Sequence, residues 1–244
     1  MSTLPQPRPS TENKVLAALH RPESQHFFSH LKHVTLSLGE VIYEAESEVE
    51  YVYFPVTAVF SMLTLMEDGN MVEVGPVGNE GLVGLNVFFG AGTSPTLVLV
   101  HVAGTAMRIR AHLLREEIRS AKSQMPRLLL RYTQMLLAMT GQSAACNQLH
   151  TLDKQLARWL LTMHDYAGDE LLLTHELISQ TLGARRAGIS GMAFDFKNAG
   201  LIEYARGHIQ LVDRHGLEAR ACECYRVIKE EYERLYADLP LLAR

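Results

Sequence analysis

Two adjacent arginines, Arg185 and Arg186, stand directly before a run rich in small residues, Ala187, Gly188 and Gly191. A long cation beside small side chains suits a nucleic-acid groove. The small residues permit close approach, and a guanidinium can pair in bidentate fashion with guanine O6 and N7. Ala187 suits contact with a thymine methyl. Ser190 and Lys197 share a flank with Arg186 when the segment is drawn at 100° per residue. Arg206 and His208 follow on a hairpin-like segment and suit phosphate contact.

Other chemistry is sparser. The three cysteines are Cys146, Cys222 and Cys224. An odd count without a secretory signal argues against a disulfide framework. Cys222-x-Cys224 lies in an apparently helical stretch, where neighbours two apart do not share a face. The cysteines therefore read as small, partly buried thiols, with a metal or redox pair as the alternative. His26 and His30 have a helical i, i+4 spacing, His33 lies nearby, and no third ligand is evident. His101 sits in a strand-like run. No metal site is expected. The chain contains no G-x-S-x-G, P-loop or H-E-x-x-H motif, and Gly188-Ile189-Ser190-Gly191 is too short for a nucleophile elbow. An enzyme is not expected.

The arginines are positioned by the stretch LTHELISQTLGARRAGISGMAFDFKNAGLIEYARGHIQLVD, residues 173–213. Thr174 can cap a first helix, with Glu176 in its first turn. Leu177, Ile178 and Leu182 give that helix a buried face, and Gly183 suits a left-handed C-cap. A second helix over about 185–199 buries Ile189, Met192, Ala193 and Phe196, and turns Ala187, Gly191 and Phe194 outward. A hairpin turning near Gly207 completes a winged helix-turn-helix, which places one helix in the DNA major groove.

Upstream, residues about 33–110 carry short Val-, Thr- and Tyr-rich runs separated by Gly39, Asp68-Gly69-Asn70, Gly90-Ala91-Gly92 and Gly104. That spacing predicts an antiparallel sandwich or barrel, with a hairpin at Asp68-Gly69. Two helices follow, the second opened by Pro126. In it, Leu129, Tyr132, Leu136 and Met139, continued by Ser143 and Cys146, repeat with 3-4 spacing like a coiled-coil seam. This seam is read as a homodimer contact, the competing reading being that it packs on the β-domain. A helix over LDKQLARWLLTMHDYAG has Asp153 as its expected N-cap, and an amphipathic helix or helix pair ends the chain.

The fold class is therefore α+β: an N-terminal antiparallel, jelly-roll-like β-roll, a long dimerisation helix and a C-terminal winged helix-turn-helix. The expected boundaries are a disordered tail at 1–12, an effector-sensing β-roll at 13–122, the dimerisation helix at 123–150 and the DNA-binding domain at 151–244. No apolar run approaches the ~20 residues of a membrane span, and the N-terminus lacks a signal-peptide core. A cytoplasmic location and no membrane partner are expected. The net charge of −4 does not favour DNA. From Thr174 to His215 the cations Arg185, Arg186, Lys197, Arg206 and Arg214 barely outnumber Glu176, Asp195, Glu203 and Asp213. Non-specific affinity should be modest.

These residues resemble the Crp/Fnr family of bacterial transcription regulators. The likeness is carried by LARWLL, LTHELISQTLGARRAGIS and AGLIEYARGHIQLVD, and by GEVIYEAESEVEYVYFPVTAVFSML with the later VGNEGLVGL. It implies a cyclic-nucleotide-binding-like β-roll, a dimer on a pseudo-palindromic operator, double-stranded DNA as partner, and RNA polymerase as a further candidate partner. The effector-pocket candidates by this resemblance are Gly81, Leu82, Gly84, Leu85, Ser94 and Thr96. The family's cyclic-nucleotide loop carries a Glu for the ribose hydroxyl and an Arg for the phosphate. Leu82 stands in the former place, and no arginine occurs between Gly75 and Met107. Burying a phosphate without a cationic partner is costly, which argues against cyclic AMP by the family's usual contacts. No Cys-rich N-terminal run exists for an iron–sulfur cluster, and haem through His101 is disfavoured. The effector is unknown. The alternative is an effector-independent DNA-binding protein whose degenerate β-roll is a structural dimer or protein-interaction platform.

Overall fold

The computed structural model describes residues 13–19, 22–168, 170–205 and 207–237. The expected tail at 1–12 lies outside them. The β-branched and aromatic runs form β1 (Lys32–Leu36), β2 (Val41–Tyr43), β3 (Tyr51–Pro55), β4 (Val59–Leu65), β5 (Met71–Val77), β6 (Leu97–Val102) and β7 (Gly104–Arg110). They pair antiparallel in two sheets, β1-β7-β3 and β2-β6-β4-β5. The β4–β5 hairpin turns at Asp68-Gly69-Asn70, as expected. Gly69 takes φ +84, and the Asp68 carboxylate accepts from Asn70 N at 3.0 Å. Phe54, Phe60, Val52 and Ile109 fill the space between the sheets. Two short helices, α1 (Lys14–Ala18) and α2 (Gln25–Ser29), precede β1. Asn13 is fully buried. It caps α1 by accepting from Leu16 N, while its amide donates to Pro55 O and Gly81 O.

The helical half follows as α3 (Ala111–Arg119), α4 (Met125–Leu149) and α5 (Leu152–Ala167). Pro126 sits in the first turn of α4, where its missing N–H costs nothing. Thr151, rather than the expected Asp153, is the N-cap residue of α5, and Asp153 lies in the first turn. Next come β8 (Glu170–Leu172), α6 (His175–Leu182), α7 (Arg186–Asn198), β9 (Ile202–Ala205), β10 (His208–Leu211), α8 (Arg214–Arg220) and α9 (Cys224–Ala237). Strands β8-β10-β9 form the wing sheet.

Helix α4 corrects the dimer seam. Leu129, Tyr132 and Met139 are buried within their own chain, Leu136 is half-buried against the same core, and Cys146 is fully buried. Helix α9 and strand β5 pack against α4. The helix is apolar on both sides, so heptad counting found the inward stripe. The outward stripe is Leu130, Leu137, Gly141 and Ala144, with Leu130 58% and Leu137 70% exposed.

The β-roll and the C-terminal domain have separate cores that meet at Trp159, the chain's single tryptophan. Trp159 on α5 meets the His101 ring edge-on at 5.3 Å between centroids. Its Nε1–H donates to Glu73 Oε1 on β5 at 3.0 Å, and Ser61 on β4 donates to the other oxygen. Burial pushes Glu73 up to about 7, against the hydrogen bonds from Ser61 and Trp159 and the nearby Arg158 charge. Burial likewise lowers His101 to about 4, so it is neutral at physiological pH. Because the folded pKa of Glu73 lies above its reference value, its contribution to stability is present below about pH 4.5. That contribution is lost as pH rises through about 7. Glu73→Gln should therefore remove about 1–3 kcal/mol of the stability decline between about pH 4.5 and pH 7. Urea unfolding followed by Trp159 fluorescence checks this, and an unchanged pH profile in the variant would show that Glu73 titrates normally.

Candidate nucleic-acid interface

Helix α6 begins where Thr174 Oγ1 accepts from Leu177 N at 3.1 Å, so Thr174 serves as the expected cap. Gly183 ends the helix at φ +60, and Ala184 N returns to Ser179 O at 2.9 Å. This sharp turn aims α7 outward. Arg185 is extended and precedes the first turn of α7. Ile189, Ala193 and Phe196 are buried and Met192 is half-buried, holding α7 against the domain core. The opposite face presents Ala187, Gly191 and Phe194, all exposed, with Arg185 and Arg186 exposed at its N-terminal end.

Two cations of this helix, Arg186 and Lys197, are already paired with acids of the same domain. Arg186 Nε lies 3.7 Å from Glu176 Oε2, and Lys197 Nζ lies 3.5 Å from Glu203 Oε2 and 3.4 Å from Tyr204 O. Exposed pairs of this kind are worth little, about 0–1 kcal/mol, so phosphate can replace the carboxylates. Ser190 was expected on the reading flank, but it is half-buried, its Oγ 2.9 Å from His175 Nδ1. His175 stacks on Tyr204 with ring centroids 4.2 Å apart. Burial first, and then the charge of Arg186, lower the His175 pKa. This His175–Ser190–Tyr204 clamp, which ties α6 to α7 and to the wing, was not foreseen. His208 is exposed at the wing, opposite Ala205 and Leu172 in register. Arg206 lies outside the described residues.

The effector-pocket candidates are tied up by the chain itself. The Tyr132 hydroxyl, from α4, donates to Leu82 O and receives Leu82 N, both at 3.2 Å. A Cβ on Gly81 would meet that hydroxyl. Gly84, at φ +96, packs under the Tyr43 hydroxyl and Val52, and Leu85 opens a short 3-10 turn. Ser94 is buried, donates through Oγ to Thr96 O at 2.8 Å and through its backbone N to Ser47 O, and its carbonyl accepts from Glu46 N. A separate cavity of about 610 Å³ opens between the roll, α5 and α9, lined by Glu80, Tyr166, Tyr232 and Tyr236 among others. Burial raises Glu80, whose Oε1 accepts from Gly78 N and from the Tyr166 hydroxyl. His26 and His30 are exposed neighbours, and His30 Nδ1 lies 2.9 Å from His26 O. Among the described residues no helix is long and apolar enough to cross a membrane.

A helix-turn-helix with a wing, carried by a long helix on a β-roll, is the architecture of a DNA-binding domain joined to a β-roll domain. Residues 154–220 match the Crp-like helix-turn-helix domain family, and the chain as a whole has the fold of Crp/Fnr-type regulators. FixK2 from Bradyrhizobium japonicum superposes with TM-score 0.67 at 18% identity, covering 79% of this chain and 98% of its own. A Crp/Fnr-family regulator from Eubacterium rectale gives 0.63 at 19%, covering 87% and 97%. The c-di-GMP-responsive global regulator CLP of Xanthomonas campestris gives 0.61 at 14%, covering 78% and 98%. No curated protein matches the chain in sequence.

Two glycines of the motif should respond oppositely to alanine. A Cβ at Gly183 would stand 2.9 Å from Val72 on β5, at a positive φ. A Cβ at Gly191 meets nothing. Gly183→Ala should destabilise by about 1 kcal/mol or more, whereas Gly191→Ala should stabilise by up to about 1 kcal/mol through helix propensity. Thermal unfolding of the two variants checks the pair, and destabilisation by Gly191→Ala would show that this face is not free.

Proposed function

We propose that the protein is a homodimeric transcription regulator that reads a pseudo-palindromic operator through two copies of α7. The exposed face of α7 supports this most directly: Arg186 stands beside Ala187 and Gly191 on a Crp-like helix-turn-helix. Arg186 is the base-reading side chain, Arg185 and Lys197 flank it, and Arg206 and His208 on the wing hold phosphate. Double-stranded DNA and a second copy of the chain are the partners, and RNA polymerase is the partner through which such a regulator acts. Dimerisation uses the outward stripe of α4 at Leu130, Leu137, Gly141 and Ala144. The effector is not cyclic AMP held by the family's usual contacts, because Leu82 stands where the ribose acceptor would be and Tyr132 engages its backbone. The same engagement favours a second reading, in which the β-roll is a structural platform without an effector. A thermal-shift screen of small ligands distinguishes the two.

Arg186→Ala should cost about 1–3 kcal/mol at the operator and relax preference at one base position per half-site. Half-sites should lie about one helical turn apart. Equal loss across a base-substitution series would instead make Arg186 a phosphate contact. Leu137→Glu should yield monomers with weak operator binding, while leaving each chain folded because the side chain touches solvent. Sedimentation measurements that leave this variant dimeric would exclude the outward stripe.

A further inference from the structure

All three cysteines of the chain converge on one point with His150. The Cys146, Cys222 and Cys224 Sγ atoms and a ring nitrogen of His150 all lie within 4.8 Å of one another. The Cys146 and Cys222 Sγ atoms are 3.5 Å apart, and Cys224 Sγ is 3.5 Å from His150 Nδ1. A tetrahedral zinc site with Zn–S about 2.3 Å and Zn–N about 2.0–2.1 Å has sulfurs about 3.8 Å apart and S···N separations of about 3.6 Å. The Cys146–Cys222 and Cys224–His150 separations already match those spacings, and the remaining donor pairs lie within 4.8 Å. Its four donors form a Cys3His set, a common structural zinc combination.

The surroundings suit a bound cation. Cys146 and Cys224 are fully buried and Cys222 nearly so, hence a metal here would be shielded from competing water. His150 turns Nδ1 toward Cys224 and places Nε2 3.4 Å from Glu223 Oε2. A carboxylate on the far ring nitrogen fixes the tautomer that leaves Nδ1 free to ligate. The Gln142 amide donates to Cys224 Sγ at 3.0 Å. Three thiolates and a neutral imidazole around Zn²⁺ carry one net negative charge, and the buried Arg158 guanidinium lies within electrostatic reach of Cys146.

Chain topology gives the cluster its meaning. Cys146 and His150 are one turn apart at the C-terminal end of α4, directly before the joint to α5. Cys222 lies in the extended link after α8, and Cys224 begins α9. We propose that Cys146, His150, Cys222 and Cys224 bind one Zn²⁺ per chain, and that this ion clamps the DNA-binding domain to the end of the long helix. Binding releases three thiol protons to solvent and involves no redox change. The clamp closes the chain around the whole winged helix-turn-helix, so it sets the pose of α7 relative to α4. That consequence rests on the DNA-binding function proposed above, whereas the metal site itself does not.

The test uses the full chain purified under reducing conditions without added metal. Elemental analysis should give about one zinc per chain. Co²⁺ exchanged into the chelator-stripped protein should show the strong visible and near-ultraviolet bands of a tetrahedral thiolate site. Cys222→Ser should reduce zinc affinity roughly tenfold or more, and His150→Gln should do so without touching a thiol. Stripped protein should melt at lower temperature and regain stability with zinc alone. Stripping should weaken operator binding roughly tenfold, reversibly. A chain free of zinc that fails to bind added Zn²⁺ or Co²⁺ overturns the site. So does a Cys146–Cys222 disulfide in the reduced preparation, or iron and sulfide in place of zinc. Zinc bound without any effect on operator affinity overturns the clamp. Absence of DNA binding in both forms would refute the regulatory function instead, with zinc stoichiometry and melting still deciding the site.

Discussion

The contact between Trp159 and Glu73 is the constraint on which the relation of the two halves depends. A tryptophan indole buried at a domain boundary must find an acceptor for its N–H, and the β-roll supplies a carboxylate that is itself buried. Ser61 shares that carboxylate and His101 packs on the indole, so three strands of one sheet are committed to a single side chain of α5. Val59 of β4 belongs to the core of the C-terminal domain, and Val72 of β5 touches the turn at Gly183. The recognition helix is thereby referenced to the β-roll in this conformation. Any change in the roll that moves β4 or β5 also moves the turn that aims α7.

Helix α4 imposes the second constraint, because it is apolar on two sides and only one of them meets the rest of the chain. Its inner stripe closes the β-roll through Leu129, Tyr132 and Met139 and receives α9 on the same side. The outer stripe is left to solvent in one chain, which exposes large apolar side chains that a monomer would not retain for stability. Tyr132 adds a polar lock, since its hydroxyl satisfies both backbone groups of Leu82. The loop at Leu82 is thus fastened to α4, and a shift of one pulls on the other.

Much of this was legible in the chain. The strand runs, the Asp68-Gly69 turn, Pro126, Thr174 and Gly183 signal their structures through local backbone chemistry, and local signals survive folding. The buried face of α7 followed from periodicity. What failed was whatever depended on a choice between equivalent alternatives. The 3-4 repeat of α4 is real, but periodicity cannot say which of two apolar stripes faces home. Ser190 was drawn on the reading flank because helix geometry alone does not reveal that His175, fifteen residues earlier, claims its hydroxyl. The convergence of the three cysteines is hidden in the sequence for a local reason. Periodicity puts Cys222-x-Cys224 in one helix, which would separate the two thiols, whereas only Cys224 is helical. The Cys146-x-x-x-His150 spacing on α4 was readable as a ligand pair, but its partners lie more than seventy residues away.

The reading surface itself is electrostatically restrained. Arg186 and Lys197 each face an acid of the same domain, and the chain carries a net charge of −4. Counterion release, which supplies most non-specific DNA affinity, is therefore small. In the function proposed, binding draws instead on close fit, which the small exposed residues Ala187 and Gly191 of α7 suit. In the dimer proposed, a close fit tolerates little error in the angle between the two copies of α7. A protein of this design has more to gain from a rigid joint at His150–Thr151 than one that relies on charge. In the folded chain that joint is flanked by Trp159 against the roll on one side and by the Cys/His cluster on the other.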